Sequence, residues 1–286
     1  MTRSTVVNKV IELGNNNYCI REAESVNCYL LIGEERALLF DVGYGYEDIK
    51  PLIAELTELP LIVVDSHGDP DHALGNSWFD EVYIHELDLG KLFSNDTREM
   101  KELALDYRLK KLPELKPHID RESYFQTTVK NTKYHFVREG DVFDLGGGKV
   151  LETIHLPGHS YGCIALLDLN NKDLFSGDMV TKHNIWYFLT ADEQAPFKMA
   201  EASYRKLLRR QSDIARIYPA HGPFPIEPEV INQLLESLED MKLNHNSDPY
   251  FESFRGNGYQ HFYKDTLIIY SKARLEEYME DSKHEN

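Results

Sequence analysis

The sequence predicts an α/β fold, a sandwich in which two β-rich halves carry helices on their outer sides. Three observations carry that reading. Short strand-like runs occur on both sides of a mainly helical stretch, helical runs separate them, and the residues suited to chemistry each fall just after a strand. With 286 residues, 42% apolar and 11% aromatic, the chain has the length and composition to bury a sizeable core.

Residues 28–32 and 37–40 flank a Gly-Glu-Glu turn and read as a hairpin. The second run ends in Asp41-Val-Gly-Tyr-Gly45, and a helix is expected over 47–56. Residues 61–64 form a fully apolar run suited to a strand covered on both faces. It leads directly into Ser66-His-Gly-Asp-Pro-Asp-His72, and 82–85 reads as the next strand. From 87 to 133 the character turns helical, with prolines at 113 and 117 as breaks. Strands are then expected at 142–145, 150–155, 164–169 and 174–176. Helices at 198–210 and 228–244 enclose a strand at 214–218, and β runs at 259–263 and 266–270 precede a charged helix. No internal repeat or Gly/Ser-rich linker interrupts this order. The expectation is a single domain over 1–286, with 87–133 a helical insertion and 223–286 a C-terminal helix, hairpin and charged helix.

Thirty-one basic against 48 acidic residues leave a formal charge of −17. That balance disfavours nucleic acid and anionic membrane, since both polyanions repel it, and points to a small-molecule substrate. No run of about 18 apolar residues suits a membrane span. The first residues, Met-Thr-Arg onward, lack the apolar core of a signal peptide. Cys19, Cys28 and Cys163 are too few and wrongly spaced for a disulfide framework or a zinc ribbon. Cys28 and Cys163 read as core, and the compartment as cytoplasmic. Oligomeric state has no sequence signal.

His67, Asp69, Asp71 and His72 crowd into six residues after a strand, and supply the oxygen and nitrogen donors that bind divalent metals. Three further strand ends offer one ligand each: His159 in Leu-Pro-Gly-His, Asp178 in Ser-Gly-Asp, and His221 in Tyr-Pro-Ala-His. Donors gathered on strand ends are held by a rigid sheet.

This ordered set resembles that of the metallo-β-lactamase-fold hydrolase superfamily, known by an HxHxDH loop, a PGH histidine, a GD aspartate and a late histidine. The resemblance runs over residues 28–222. It implies an αββα four-layer sandwich and a metal-dependent hydrolase with two divalent ions, zinc, iron or manganese. It places His67, Asp69 and His159 on one ion, Asp71, His72 and His221 on the other, and Asp178 between them. Asp41 matches a strand-end aspartate that is structural in the family. Asp69 stands where the family most often has histidine. Two divalent ions and three carboxylates then sum to +1 instead of +2, which weakens the ions as Lewis acids and moves preference from zinc toward iron or manganese. A histidine at 69 is accordingly expected to raise zinc occupancy.

The implied reaction uses metal-activated hydroxide on a small ester, thioester, lactone or phosphoester, with Asp71 or Asp178 orienting the nucleophile. No Gly-x-Ser-x-Gly elbow supplies an alternative nucleophile. His183, five residues after Asp178, is assigned to catalysis as an acid or oxyanion donor, with Tyr161 as another pocket residue. His85 and His155 read as packed groups, and His118, His135, His245 and His284 as surface. Trp186, Tyr187 and Phe188 read as core. Two other functions stay open. One is a di-iron protein that reduces or senses oxygen or nitric oxide, related to flavodiiron proteins but with only about 65 residues after His221, too few for a flavin domain. The other is a ligand-binding protein with a degenerate site.

Overall fold

A computed structural model describes the backbone of residues 4–283 and side chains as far as Asp281. Met1 to Arg3 and His284 therefore lie outside the described residues. The chain divides into two compact units, 1–153 and 154–286.

The first unit is built on a seven-stranded sheet in which sequence order and spatial order coincide. Strands β1 (Asn8–Gly14), β2 (Asn17–Glu22), β3 (Val26–Ile32) and β4 (Ala37–Phe40) form an antiparallel meander. The hairpin β1–β2 precedes every strand expected from the sequence. Its turn is made by Asn15 and Asn16, both with positive φ (52° and 56°), a pair suited to the tight turn between antiparallel strands. After helix α1 (Lys50–Ala54), β5 (Leu61–Val64) pairs parallel with β4. Helix α2 (Pro70–Ala73) and β6 (Glu81–His85) follow, the latter parallel to β5.

Helices α3 (Glu86–Asn95), α4 (Arg98–Lys111) and α5 (Arg121–Gln126) occupy the helical stretch 87–133. That stretch leads into β7 (Lys133–Val137), which pairs parallel with β6 over five residues. It therefore connects two neighbouring strands of one sheet. Strand β7 is absent from the sequence reading because its Lys-Tyr-His-Phe-Val pattern is half-buried at most until Val137. Strands β8 (Val142–Asp144) and β9 (Val150–His155) form a hairpin. Its Lys149 ammonium donates to the Asn15 and Ile32 carbonyls and to Asn17 Oδ1 at 2.8–2.9 Å. The division between the units falls inside β9.

In the second unit the end of β9 runs into β10 (Ile164–Asp168), then antiparallel β11 (Asp173–Gly177). Strand β12 (Asn184–Tyr187) and helix α6 (Phe197–Arg209) precede β13 (Arg216–Pro219), which pairs parallel with β11. Helix α7 (Glu229–Asn244) is followed by β14 (Tyr250–Ser253), β15 (Gly256–Tyr263), β16 (Thr266–Tyr270) and helix α8 (Lys272–Lys283). The last three strands form a sheet with β12 in the order β12-β16-β15-β14.

Strand β12 thus belongs beside the C-terminal hairpin, and Trp186 and Phe188 pack with Phe251. Helix α6 buries Phe197, Ala200, Tyr204 and Leu207, and α7 buries Val230, Ile231, Leu234, Leu238 and Met241, all in one core cluster. Their spacing of three and four residues puts each set on one helical face. Cys28 and Cys163 are buried free thiols, as core placement requires.

Candidate metal centre

In the first unit the ligand loop leaves β5 at Val64 and enters α2 at Pro70. Proline suits the first helical position, where its missing N–H has no partner to lose. Asp69 occupies the N-cap position with φ −76° and ψ 153°, yet its side chain does not cap. One oxygen lies 3.0 Å from Lys91 Nζ and the other 3.3 Å from His67 Nε2. His67 and His72 are fully buried, with ring centroids 4.0 Å apart. Asp71 is half-buried, with Oδ1 3.7 Å from His72 Nε2.

Asp41 sets the orientation of both imidazoles. Its Oδ1 accepts the Ser66 N–H at 2.6 Å, and its Oδ2 accepts the Ser66 hydroxyl at 2.8 Å and His72 Nδ1 at 2.9 Å. With its proton given to Asp41, Ser66 Oγ accepts from His67 Nδ1 at 2.9 Å. Both rings thereby keep their proton on Nδ1 and present Nε2 as the lone-pair atom. Asp41 itself sits at φ 65°, a left-handed conformation that aspartate tolerates better than most residues. The loop after it is held by Glu22, whose carboxylate accepts the N–H groups of Tyr44, Gly45 and Tyr46 at 2.6–3.0 Å. Burial nevertheless pushes the Glu22 carboxyl up to about 7, against the pull of those three donors and of Arg108. Burial likewise holds the Asp65 carboxyl well above the usual range, although Asn76 donates to it at 2.6 Å.

Helix α3 packs directly on the ligand loop. A Cβ at Gly68 would lie 2.6 Å from the Asp88 carbonyl oxygen and 3.0 Å from Leu92 N, so only glycine fits there. Asp88 Oδ2 accepts Gly68 N–H at 2.8 Å, and Asn95 donates to the Gly68 carbonyl at 3.3 Å. Asp88, Lys91 and Asn95 are buried polar residues spaced three and four apart. Sequence reasoning passed over these three. The available signal was a polar stripe at helical spacing immediately after a strand, where an apolar stripe is the rule. His85 is packed, as expected, and caps α3 by accepting Leu87 N–H.

In the second unit His159 follows β9 and is 3% exposed. Its Nδ1 donates to the Trp186 carbonyl at 2.9 Å, which again leaves Nε2 with the lone pair. Asp178, just past β11, lies between two imidazoles, with Oδ2 3.7 Å from His159 Nε2 and Oδ1 3.4 Å from His221 Nε2. Asp178 and His221 are half-buried. The His221 carbonyl accepts the Thr181 hydroxyl, and His183 N–H donates to the same hydroxyl. His183 is exposed, its ring centroid 6.0 Å from that of His221. Tyr161 donates to the Ala191 carbonyl. His155 is bound to the Tyr161 carbonyl, and His135 pairs with Glu81 on the surface. His118 is exposed, and His245 is half-buried against the Met241 carbonyl.

The donor chemistry fits divalent metal ions within each unit. Four imidazole Nε2 atoms stand 3.3, 3.7, 3.7 and 3.4 Å from carboxylate oxygens. Hydrogen bonds of this type close to about 2.7–3.2 Å. Donors around one ion at bond lengths of about 2.0–2.1 Å stand about 3.3–3.4 Å apart in a tetrahedron. Two of the four separations fall at that spacing and two lie a little beyond it, and the tautomers of His67, His72 and His159 leave Nε2 with the lone pair.

Over 182 residues the chain is 30% identical to an acyl-coenzyme A thioesterase, MBLAC2, of Gallus gallus, a match covering 59% of this chain and 64% of that protein. The chain thus matches less than two thirds of that relative's length. A beta-lactamase domain protein from Burkholderia ambifaria superposes with a TM-score of 0.60 at 19% identity, over 85% of this chain and 79% of that one. A metallo-beta-lactamase from Pontibacter korlensis gives a TM-score of 0.58 at 18% identity, over 80% and 97%. These likenesses bear out the expected α/β fold class. A family model, the metallo-beta-lactamase superfamily, matches residues 21–242, from β2 to the end of α7. That span takes in every strand end that carries a donor, and the chain belongs to the metallo-beta-lactamase superfamily.

Proposed function

We propose that the chain is a metal-dependent hydrolase of a small acyl substrate, a thioester foremost, and that both units form one catalytic domain. The observation that carries this reading is the set of four Nε2–carboxylate separations of 3.3–3.7 Å, three of them on histidines, His67, His72 and His159, whose Nδ1 is engaged elsewhere. The thioester is favoured among esters, lactones and phosphoesters by the similarity to the acyl-coenzyme A thioesterase.

Carried over from the family pattern, His67, Asp69 and His159 hold one divalent ion and Asp71, His72 and His221 the other, with Asp178 shared. When bound, such ions acidify a water toward neutrality and polarise the substrate carbonyl. The chain's own part is orientation and proton handling. Asp41, Ser66 and the Trp186 carbonyl hold the imidazoles with Nε2 forward. Asp71, half-buried with one oxygen 3.7 Å from His72 Nε2, is the carboxylate suited to orient the attacking water. His183, exposed beside His221, exchanges the proton of the leaving group. Zinc, iron and manganese all suit this nitrogen and oxygen donor set.

No helix among the described residues is long and apolar enough to cross a membrane. With the −17 charge this supports a small-molecule substrate met in solution, in the cytoplasm, without nucleic acid.

Metal analysis of protein purified without added metal tests the reading, coupled to chromogenic thioesters, esters, lactones and phosphodiesters. Bound metal, with thioester cleavage lost to a chelator and restored by divalent ions, is expected. Two irons with oxygen uptake and no hydrolysis would overturn it in favour of the di-iron alternative.

A further inference from the structure

Lys91 is a buried lysine on α3 whose ammonium lies 3.0 Å from Asp69 Oδ1. An ammonium with only 5% of its side chain exposed cannot meet a substrate in solution, and its place beside a ligand loop calls for a reason. Helix α3 fixes the neighbouring backbone through Asp88 and Asn95, so Lys91 is not needed to hold Gly68. What it does hold is one oxygen of Asp69, leaving the other toward His67 Nε2.

We infer that Lys91 is the positioning residue and counter-charge of Asp69: it holds one oxygen of that carboxylate, with the other toward His67, and cancels the charge the carboxylate adds to the metal centre. The inference rests on the proposed reading of Asp69 as a ligand. Two divalent ions with Asp69, Asp71 and Asp178 sum to +1, and the ammonium returns the sum to +2. By this account Asp69 and Lys91 together stand in for one neutral ligand. The Lewis acidity that a third carboxylate would remove is thereby kept.

The consequence reverses the expectation for histidine at position 69. Asp69→His alone leaves a buried ammonium beside two dications without its carboxylate, so metal affinity falls by on the order of a hundredfold, the scale of a buried charge that has lost its partner. Asp69→His with Lys91→Met removes the repulsion and recovers most of that loss. Lys91→Met alone frees the second carboxylate oxygen and its charge. Metal affinity then rises about tenfold while the metal-free protein melts earlier. Lys91→Arg keeps both metal affinity and melting temperature near those of the unaltered protein. A purely structural lysine would give losses in both quantities for Lys91→Met.

Chelator competition for zinc and thermal melting with and without zinc, on these four variants, read all of this without assaying turnover. Should Lys91→Met not fold, the Asp69→His pair decides. Unaltered protein that binds two metal ions, with the double variant no better than Asp69→His and Lys91→Met no tighter, overturns the role of Lys91 alone. Unaltered protein that binds no zinc overturns the metal reading, and the inference with it.

Discussion

The two units prepare their histidines by different means. In the first, His67 and His72 are fully buried and oriented by side chains, through the Asp41–Ser66 network, with a lysine, an aspartate and an asparagine packed around the loop. In the second, His159 is oriented by a main-chain carbonyl, and Asp178 and His221 keep partial access to solvent. A side-chain network can be removed by one substitution, and each member it loses leaves another buried polar group without its partner. A carbonyl survives any substitution of its own side chain. The first unit should therefore be brittle to mutation around its ligands and the second tolerant.

The largest effect is expected at Asp41. Asp41→Ala strips partners from Ser66 and His72 at a buried site and places alanine at φ 65°. Chelator-treated protein should lose about 3–5 kcal/mol in urea denaturation, and His72 its fixed tautomer. A loss under 1 kcal/mol would break the comparison.

Next comes the pH response of the Glu22 latch on the same loop. Its folded carboxyl titrates at about 7, above its ordinary value, so the folded state holds the proton more tightly than the unfolded chain. The stability it contributes is fully present below the ordinary value and is lost as pH rises toward 7, a change on the order of 3 kcal/mol. Glu22→Gln should lower stability, because an amide offers one acceptor oxygen to three N–H groups, yet flatten that pH slope in chemical denaturation. A slope that persists in the variant would assign the titration elsewhere.

Gly68→Ala should cost about 1–3 kcal/mol, since its Cβ would overlap the Asp88 carbonyl and force α3 away from the loop. The smallest effect is expected in the second unit. Trp186→Phe keeps the carbonyl that accepts from His159, so metal content should be unchanged and stability lower by less than about 1.5 kcal/mol. Metal loss in that variant would show that the indole, not the peptide, orients His159.

What the sequence displayed divides along the same line. The seven candidate donors stand out as candidates because each follows a strand-like run and a turn, and one-letter spacing is enough to see that. The strands β3 to β6 and β9 to β11 were legible for a related reason, each carrying a run of apolar residues of which β3, β4, β10 and β11 are almost wholly buried and β5, β6 and β9 partly so. Strand β7 was not, because Lys133, His135 and Phe136 alternate too weakly to mark a buried face. Strand β12 was hidden by its register, since Asn184 to Tyr187 pairs with Leu267 to Tyr270, some eighty residues later. His261, which sequence reasoning left unassigned, is 2% exposed and lies between Asp240 and Asp248, 21 and 13 residues earlier in the chain. The groups behind the donors were hardest to see. Asp88, Lys91 and Asn95 resemble ordinary surface residues of a helix until the helix is known to face the loop.

That inward polar face of α3 has a consequence for engineering. A search for stabilising changes that replaces buried polar residues with leucine or methionine would select Asp88 and Asn95 among its first targets, because exchanging buried polar groups for well-packed apolar ones often raises the melting temperature. Each such gain in thermostability would be drawn from the part of the scaffold that holds Gly68. Variants of this helix should therefore be ranked on metal retention before heat tolerance.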